Sequence, residues 1–500
     1  MLFPLPKSRR RPTWPFLLIP IALVLLYLHP SLSLPAFPSS KVAHAVSRPG
    51  NATLHLRSAE TRQYWTKLHS SLTKNNPSIA PFKSSRPPTP DEIDAGKNDN
   101  SSPRPDLIEL LPADVDALKS THATFVSTLA TLAPGLPKWK NTKGVVMTAG
   151  GGYLGTAITS ILMLRRSGSK LPVHLFLDDP SERDPHLCDV VLPRIDVECL
   201  VFSDLLRPTD GVQHYQFKVL SILLSPFEKV LYLDSDAWPI HPPEPLFASV
   251  PFTNRGLITW PDFWLTTVSS HFYTVAGFPA PPILKRRSSE SGILLYDKTT
   301  HAESLLLATY YNWYGPGCYY PLLSQLAPGE GDKETFVHAA LALNQNFWDV
   351  RTPDTVLGRW INGSFETAGM KQADPAEDYR LQASGSESTT AATDEDHARE
   401  PPAEKKAKPF FIHHNLFKLD IGAVGKDTDP MFRLDTEGHF GRLWGPDRKL
   451  IEDSGFDVER AMWDVVLEAN CGSTFSKECD GLKRWYEAVF VNAPPLVDGL

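Results

Sequence analysis

The chain has 500 residues, 42% hydrophobic and 21% charged, with a net charge of −7. That length suits about two to four ordinary domains, or one large domain with tails. The acidic balance excludes a general nucleic-acid binder, which carries a basic face, and the 46 prolines crowd the first 140 residues, where no packed core is expected.

The first forty residues read as a targeting signal. Lys7, Arg9, Arg10 and Arg11 precede a stretch without Asp, Glu, Lys or Arg until Lys41, and its centre is the apolar run WPFLLIPIALVLLYL at 14–28. Extended by HPSLSL, it approaches the ~20 residues that span a bilayer. A cleaved signal peptide is the alternative, since Ser31 and Ser33 are small enough for a cleavage site. The apolar run exceeds the roughly 7–15 residues of a signal core, which favours an uncleaved anchor. The expected layout is a cytoplasmic tail at 1–13, a membrane span at 14–34 and a lumenal remainder, because basic flanks stay in the cytoplasm. Sequons at Asn51, Asn100 and Asn362 fit that compartment. Cys471 and Cys479 bracket a polar loop that a disulfide can close. Cys188 and Cys199 either pair likewise or stay buried thiols, and Cys318 is left alone. No Cys/His spacing resembles a zinc site.

Residues 35–111 read as a largely disordered stem, rich in Pro, Ser and Asp and too poor in apolar residues to fold alone. A short amphipathic helix near Trp65, Leu68 and Leu72 interrupts it. From Pro112 the positions Val115, Leu118, His122, Phe125, Leu129 and Leu132 form one helical face. Strands are expected at GVVMT, PVHLFL, ECLVF, KVLYL, GLITW and GILLY, with helices between several of them, notably YQFKVLSILLS and AESLLLATYYNWY. This alternation implies an α/β domain over 112–500 with a mainly parallel central sheet covered on both faces. A polar run at 369–408 reads as a disordered insertion in that domain, and two helices close the chain.

Four polar clusters interrupt the apolar pattern. AGGGYLG, after the first strand, is a turn where glycines let the backbone approach a nucleotide; Thr148, Gly150 and Gly152 are the candidate contacts. By itself it is equally a tight strand-to-helix turn. YLDSDAW carries Asp234 and Asp236 out of the carboxyl end of a strand, where open α/β sheets bind ligands. Two carboxylates there supply the hard oxygens that Mn²⁺ or Mg²⁺ prefers; an Asp-rich capping turn is the plain alternative. Phosphatases of the haloacid-dehalogenase type also use D-x-D, but on the first strand of their domain, and here at least two strands precede it. Glu290 falls just before a strand. Asp332, Lys333 and Glu334 open a helix, where the acids suit the dipole and Asp332 fits an N-cap. FIHHNLFK brings His413, Asn415 and Lys418 to the end of another strand; an imidazole and a lysine would complete a metal and diphosphate site.

Taken in order, GVVMTAGGGYL, MLRRSGSKLPV, YQFKVLSILLSPFEKVLYLDSD, PEPLF, ITWPDFW, ESG, GDKETF and HHNLFK resemble the fungal Golgi α-mannosyltransferases of the Mnn type, glycosyltransferase family 71. The resemblance spans about residues 144–418. It implies a GT-A fold, GDP-mannose as donor, Mn²⁺, retention of the α configuration and a type II Golgi membrane protein acting on mannose-terminated glycans of glycoproteins. Asp234 and Asp236 match its D-x-D, His413 and Asn415 its H-x-N, Lys218 the lysine of its K-x₃-[IL] helix, and Asp332, Lys333 and Glu334 its G-D-K-E-T-F. Metal ligands are then Asp234, Asp236 and His413; donor contacts add Lys218, Lys333, Lys418 and Asn415. His414, at the variable position of H-x-N, is expected to point away. Retention calls for a carboxylate beneath the sugar or for same-face attack, and Glu290, Glu334, Asp332 and Asp262 are the available acids. Two positions depart from the family: Ala237 stands where Asn is usual, and His174 where Glu is usual. The MTAGGGYLG segment leans toward members forming α-1,2 bonds, with α-1,3 open. Rival readings are a phosphohydrolase and a catalytically silent lumenal sugar-binding protein.

Overall fold

The computed structural model describes residues 51–383, 401–419 and 430–492, apart from 151, 208–209, 446 and 472–478. Among these, no helix is long and apolar enough to cross a membrane; the expected span at 14–34 lies outside them.

Eleven strands form two sheets among the described residues: β1 (Trp139–Thr148), β2 (Val173–Leu177), β3 (Val197–Val201), β4 (Phe227–Leu233), β5 (Ala237–Pro239), β6 (Leu257–Leu265), β7 (Arg287–Asp297), β8 (Trp348–Asp349), β9 (Thr355–Ile361), β10 (Ser364–Ala373) and β11 (Pro409–His413). The larger sheet has the order β3-β2-β1-β4-β7-β6-β8, and only β7 runs against the rest. It is the mainly parallel α/β sheet expected. Alternate residues of its central strands face opposite cores. Val146, Val230, Tyr232 and Leu294 pack with helices Pro112–Leu132, Gln216–Leu224 and Ala302–Trp313; Val145, Met147, Leu231 and Ile293 pack with helix Leu154–Arg166. The smaller sheet, β5-β11-β10-β9, rests on the C-terminal helices Val458–Cys471 and Cys479–Tyr486 through Trp238, Leu357, Ile412, Trp463 and Trp485. Disulfides join Cys188 to Cys199 and Cys471 to Cys479, and Cys318 is free and buried.

Two expectations of disorder are corrected. From residue 51 the expected stem is part of the folded body. The helix expected near Trp65, Leu68 and Leu72 is present as Ala59–Lys74, and it buries Tyr64, Trp65, Leu68 and Leu72 in the same core as helix Pro112–Leu132. Its end is tied by Tyr314 OH donating to Leu72 O (2.7 Å) and Tyr310 OH donating to Asn75 O (3.0 Å). The Pro-rich part is strapped down by another segment's side chain: Gln325 accepts from Leu107 N and donates to Pro105 O, both at 2.8 Å. Borrowed hydrogen bonds replace the core that this segment lacks. The expected insertion at 369–408 is also partly structured, since β10 runs to Ala373 and a helix follows at Pro375–Ala383. Asp378 in that helix is buried and accepts from Thr352 N, Thr352 Oγ1, Arg351 N and Trp348 Nε1. Residues 384–400 lie outside the described range.

Candidate active site

β1 and β4 are neighbours, yet the chain leaves β1 toward β2 on one side and reaches β4 on the other. Ligand crevices of open α/β sheets form at the carboxyl ends of such a pair. Asp234 follows β4 directly, and Asp236 precedes β5, so the tripeptide Asp234-Ser235-Asp236 passes from the larger sheet to the smaller. β5 pairs with β11 in a register that sets Ala237 opposite His413. Three ligand atoms of Asp234, Asp236 and His413 consequently lie within 4.8 Å of one another. Two carboxylates and an imidazole form a donor set suited to a divalent cation such as Mn²⁺.

A second layer of partners fixes this cluster. His413 Nε2 lies 3.1 Å from Asp236 Oδ1, and Nδ1 lies 3.0 Å from Glu290 Oε1, in ion-pair contact and off the ring N–H direction. Gly292 N donates to the same Glu290 oxygen at 2.6 Å. Only glycine fits at 292, because a Cβ there would lie 2.5 Å from His413 Cε1. Lys418 Nζ pairs with Asp236 Oδ2. Lys218 Nζ donates to Ser291 O and Ser291 Oγ (both 2.9 Å) and to Asp234 Oδ2 (3.2 Å), and lies 3.4 Å from Asp332 Oδ2. On the β1 side, Tyr232 OH donates to Asp234 Oδ1 at 2.7 Å and lies 3.1 Å from Thr148 Oγ1, linking the first turn to the acids. Gly150 packs close to Asp178, and Gly152 adopts a φ of 93° in the same turn.

Burial and neighbouring charges oppose each other at these groups. It would raise the Asp236 carboxyl, but His413 and Lys418 hold it below the ordinary carboxylate range. Burial would lower His413, and Glu290 and Asp236 together carry it well above the ordinary imidazole value. Glu290 is held low despite burial by His413 and Lys218. Asp332 is pushed up to about 6, because burial and the Asp234 charge outweigh Lys218.

The four candidate acids have different surroundings. Glu334 is built into the scaffold: Arg286 Nη1, Ser288 Oγ, Ser289 N and Ser289 Oγ all donate to it at 2.8–3.1 Å. Both of its oxygens are occupied, which leaves it no lone pair to turn on a substrate and removes it from the candidates. It, and not Asp332, holds the N-cap position of helix Thr335–Ala342. Asp262 Oδ2 accepts from Lys333 Nζ at 3.0 Å, and Lys333 also donates to Pro328 O, so this expected donor contact is engaged within the protein. Glu290 lies within β7, not ahead of it. Glu290 Oε2 and Asp332 Oδ2 are buried without a hydrogen bond, which marks both acids as groups with capacity for a ligand. His414 turns away as expected: its Nδ1 sits 2.5 Å from Phe417 O, and its ring packs on Trp238 and Trp444. Asn415 is half-buried two residues beyond His413.

Comparison with known proteins bears on this site directly. A family model described as "Mannosyltransferase putative" matches residues 142–286 and 282–374. Alpha-1,2-mannosyltransferase MNN2 of Saccharomyces cerevisiae is 32% identical over 425 residues, 73% of this chain and 70% of the relative. The chain belongs to the Mnn mannosyltransferase family. Alpha-1,2-mannosyltransferases MNN24 and MNN21 of Candida albicans are 33% and 34% identical, over 70% and 73% of this chain. This Mnn-family chain spans 58% and 63% of the length of those two relatives. Among solved structures, the galactosyltransferase LgtC, with donor and acceptor sugar analogues, gives a TM-score of 0.31 at 13% identity over 62% of this chain and 95% of that one, too distant for residue correspondences.

The two departures from the Mnn pattern fall differently. His174 stands away from the cluster, stacked 3.8 Å from Phe227 and bonded to Ser225 Oγ, and burial lowers it to about 3. Ala237 is fully buried where β5 begins and adds no polar atom beside the acids. Residues missed by sequence reasoning are Tyr232, Ser291, Arg286 and Asp354. Asp354 is buried with neither carboxylate oxygen hydrogen-bonded, and Asp262 and Glu290 act on it electrostatically. TPDT gives no sign of this, being an ordinary turn before a strand.

Proposed function

We propose that this chain is a metal-dependent, retaining α-mannosyltransferase with a GT-A-like domain. It transfers mannose from GDP-mannose to a mannose of a glycan acceptor through an α-1,2 bond. The observation that carries this reading is the convergence of Asp234, Asp236 and His413 at the strand switch point of a chain whose relatives are named α-1,2-mannosyltransferases. No such relative supports the phosphohydrolase or the silent sugar-binding reading. The Golgi setting, with a lumenal domain behind the 14–34 anchor, belongs to the same proposal.

The donor set fits Mn²⁺, which when bound supplies Lewis-acid neutralisation of the departing diphosphate. Asp234, Asp236 and His413 would hold it. Glu290 orients the His413 ring, as carboxylates behind metal-bound imidazoles do. Lys418, partly exposed and paired with Asp236, is free to turn to the diphosphate once that carboxylate is engaged. Lys218 bridges Asp234 and Asp332 and holds both at fixed positions. Thr148, Gly150 and Gly152 approach the nucleotide from β1. Asp332 is our candidate for the acid facing the sugar: its Oδ2 makes no hydrogen bond and is ion-paired with Lys218, whereas Glu290 is engaged by His413.

Incubation with GDP-mannose, Mn²⁺ and a short α-mannoside, followed by linkage analysis, tests the proposal. Asp236→Ala and treatment with EDTA should each cut transfer by roughly 100-fold or more, with Mn²⁺ restoring only the EDTA-treated enzyme. Undiminished transfer in either case refutes the metal site. A product linked otherwise than α-1,2 refutes the linkage alone.

A further inference from the structure

The β9–β10 hairpin carries a feature that transfer chemistry does not use. Ile361 pairs with Ser364, leaving Asn362 and Gly363 as a two-residue turn with φ of 52° and 77°. Asn-Gly is the preferred pair for such a type I′ turn. Asn362-Gly363-Ser364 is also a sequon, exposed at the hairpin tip. Trp360 and Phe365 face each other across the strands with ring centroids 5.5 Å apart, and they are 74% and 40% exposed. The pair steadies the hairpin, yet most of the tryptophan surface stays uncovered.

The amide orientation of Asn362 is defined. Its Oδ1 accepts from Thr436 N at 2.8 Å. A main-chain N–H can only donate, so the carbonyl oxygen occupies that position and Nδ2 is directed to the other side. Trp360 and Phe365 are the cross-strand pair next to Ile361 and Ser364, the pair that closes the turn, so both rings flank it. The exposed amide and the exposed rings thus sit at the same hairpin tip.

We infer that Asn362 is N-glycosylated and that its first N-acetylglucosamine lies on the rings of Trp360 and Phe365. This rests on the lumenal placement proposed above. In the modification, C1 of a lipid-pyrophosphate-linked oligosaccharide loses its bond to the pyrophosphate oxygen and gains one to Nδ2. Nδ2 gives up a proton to the surrounding base, and the lipid pyrophosphate departs. The apolar C–H face of the sugar suits the exposed rings, whose burial it supplies. The other sequons lack this platform, with no Trp, Phe or Tyr within four residues of Asn51 or Asn100. The glycan would not obstruct the active site, because Met370, opposite His413, is six residues along β10 from Ser364, or about 20 Å.

The test uses the full chain expressed in a fungal host. Peptide mapping after amidase release of N-glycans in ¹⁸O water should find Asn362 converted to Asp with the heavy label, and Asn362→Gln should lose one glycan's mass. Deglycosylation should lower Tm by roughly 1–2 °C in the native sequence and leave Trp360→Ala unchanged. An unmodified Asn362 in chain that sealed vesicles protect from external protease overturns the inference and leaves the lumenal reading standing. An unmodified Asn362 in chain that protease digests overturns the lumenal reading, and the inference with it. A modified Asn362 whose removal shifts Tm equally in Trp360→Ala overturns the stacking.

Discussion

Glu290 meets the proposed metal ligands through His413, and that separation makes its role measurable. If it aims the imidazole, Glu290→Gln keeps the shape and removes the charge behind the ring. The Mn²⁺ concentration for half-maximal transfer should then rise by about 10- to 100-fold, while transfer at saturating Mn²⁺ largely recovers. Failure to recover would assign Glu290 to the sugar instead. Asp354 offers a pH test of a different kind. Burial, reinforced by the Asp262 charge, pushes its carboxyl up to about 8 from an ordinary 3.8. A carboxyl raised by folding contributes stability that is complete below its unfolded value and is lost as pH climbs through its folded one. Stability should therefore fall between about pH 4 and pH 8, and Asp354→Asn should flatten that fall. Thermal melts at about pH 5 and pH 9 check this; equal losses in both proteins would show that Asp354 ionises normally.

The helices before residue 112 pose a sharper question than their composition suggested. A chain cut to 112–500 would keep every candidate site residue, yet uncover the core that Trp65, Leu68 and Leu72 close. We expect it to be insoluble, whereas 51–500 folds. Within 51–500, Leu68→Ala should cost about 2–5 kcal/mol in a denaturant titration; a negligible loss would restore a stem reaching to residue 111. The apolar runs of β2, β4 and β7 made the larger sheet legible, since strands buried on both faces need continuous hydrophobic sequence. The helix over Pro112–Leu132 was legible through a different signal, its periodic apolar face. Pro105, Leu107 and Asp378 were not, because each is held by hydrogen bonds to residues distant in sequence, and composition carries no trace of such a partner. The site divides along the same line. Asp234, Asp236 and His413 stood out as polar residues ending apolar strands. The engagement of Glu334 by Arg286 and two serines became visible only once β7 lay beside the helix.

One consequence concerns the molecule as a unit. The D-x-D tripeptide is the crossing between the two sheets, and the third ligand stands on a strand of the smaller one. A cation held there would act as a clasp over the seam, joining β4 to β11 by bonds that neither sheet supplies. Metal occupancy and the docking of the sheets are then one equilibrium, and each must report on the other. Hydrogen exchange should slow on adding Mn²⁺ in β5, β10 and β11, far beyond the three ligands, while β2 and β3 stay unchanged. Slowing restricted to the ligands would mean that the seam is already shut. If the clasp is real, substitutions that loosen the smaller sheet, even at Trp463 or Trp485, will appear in assays as a weakened appetite for metal long before the protein unfolds.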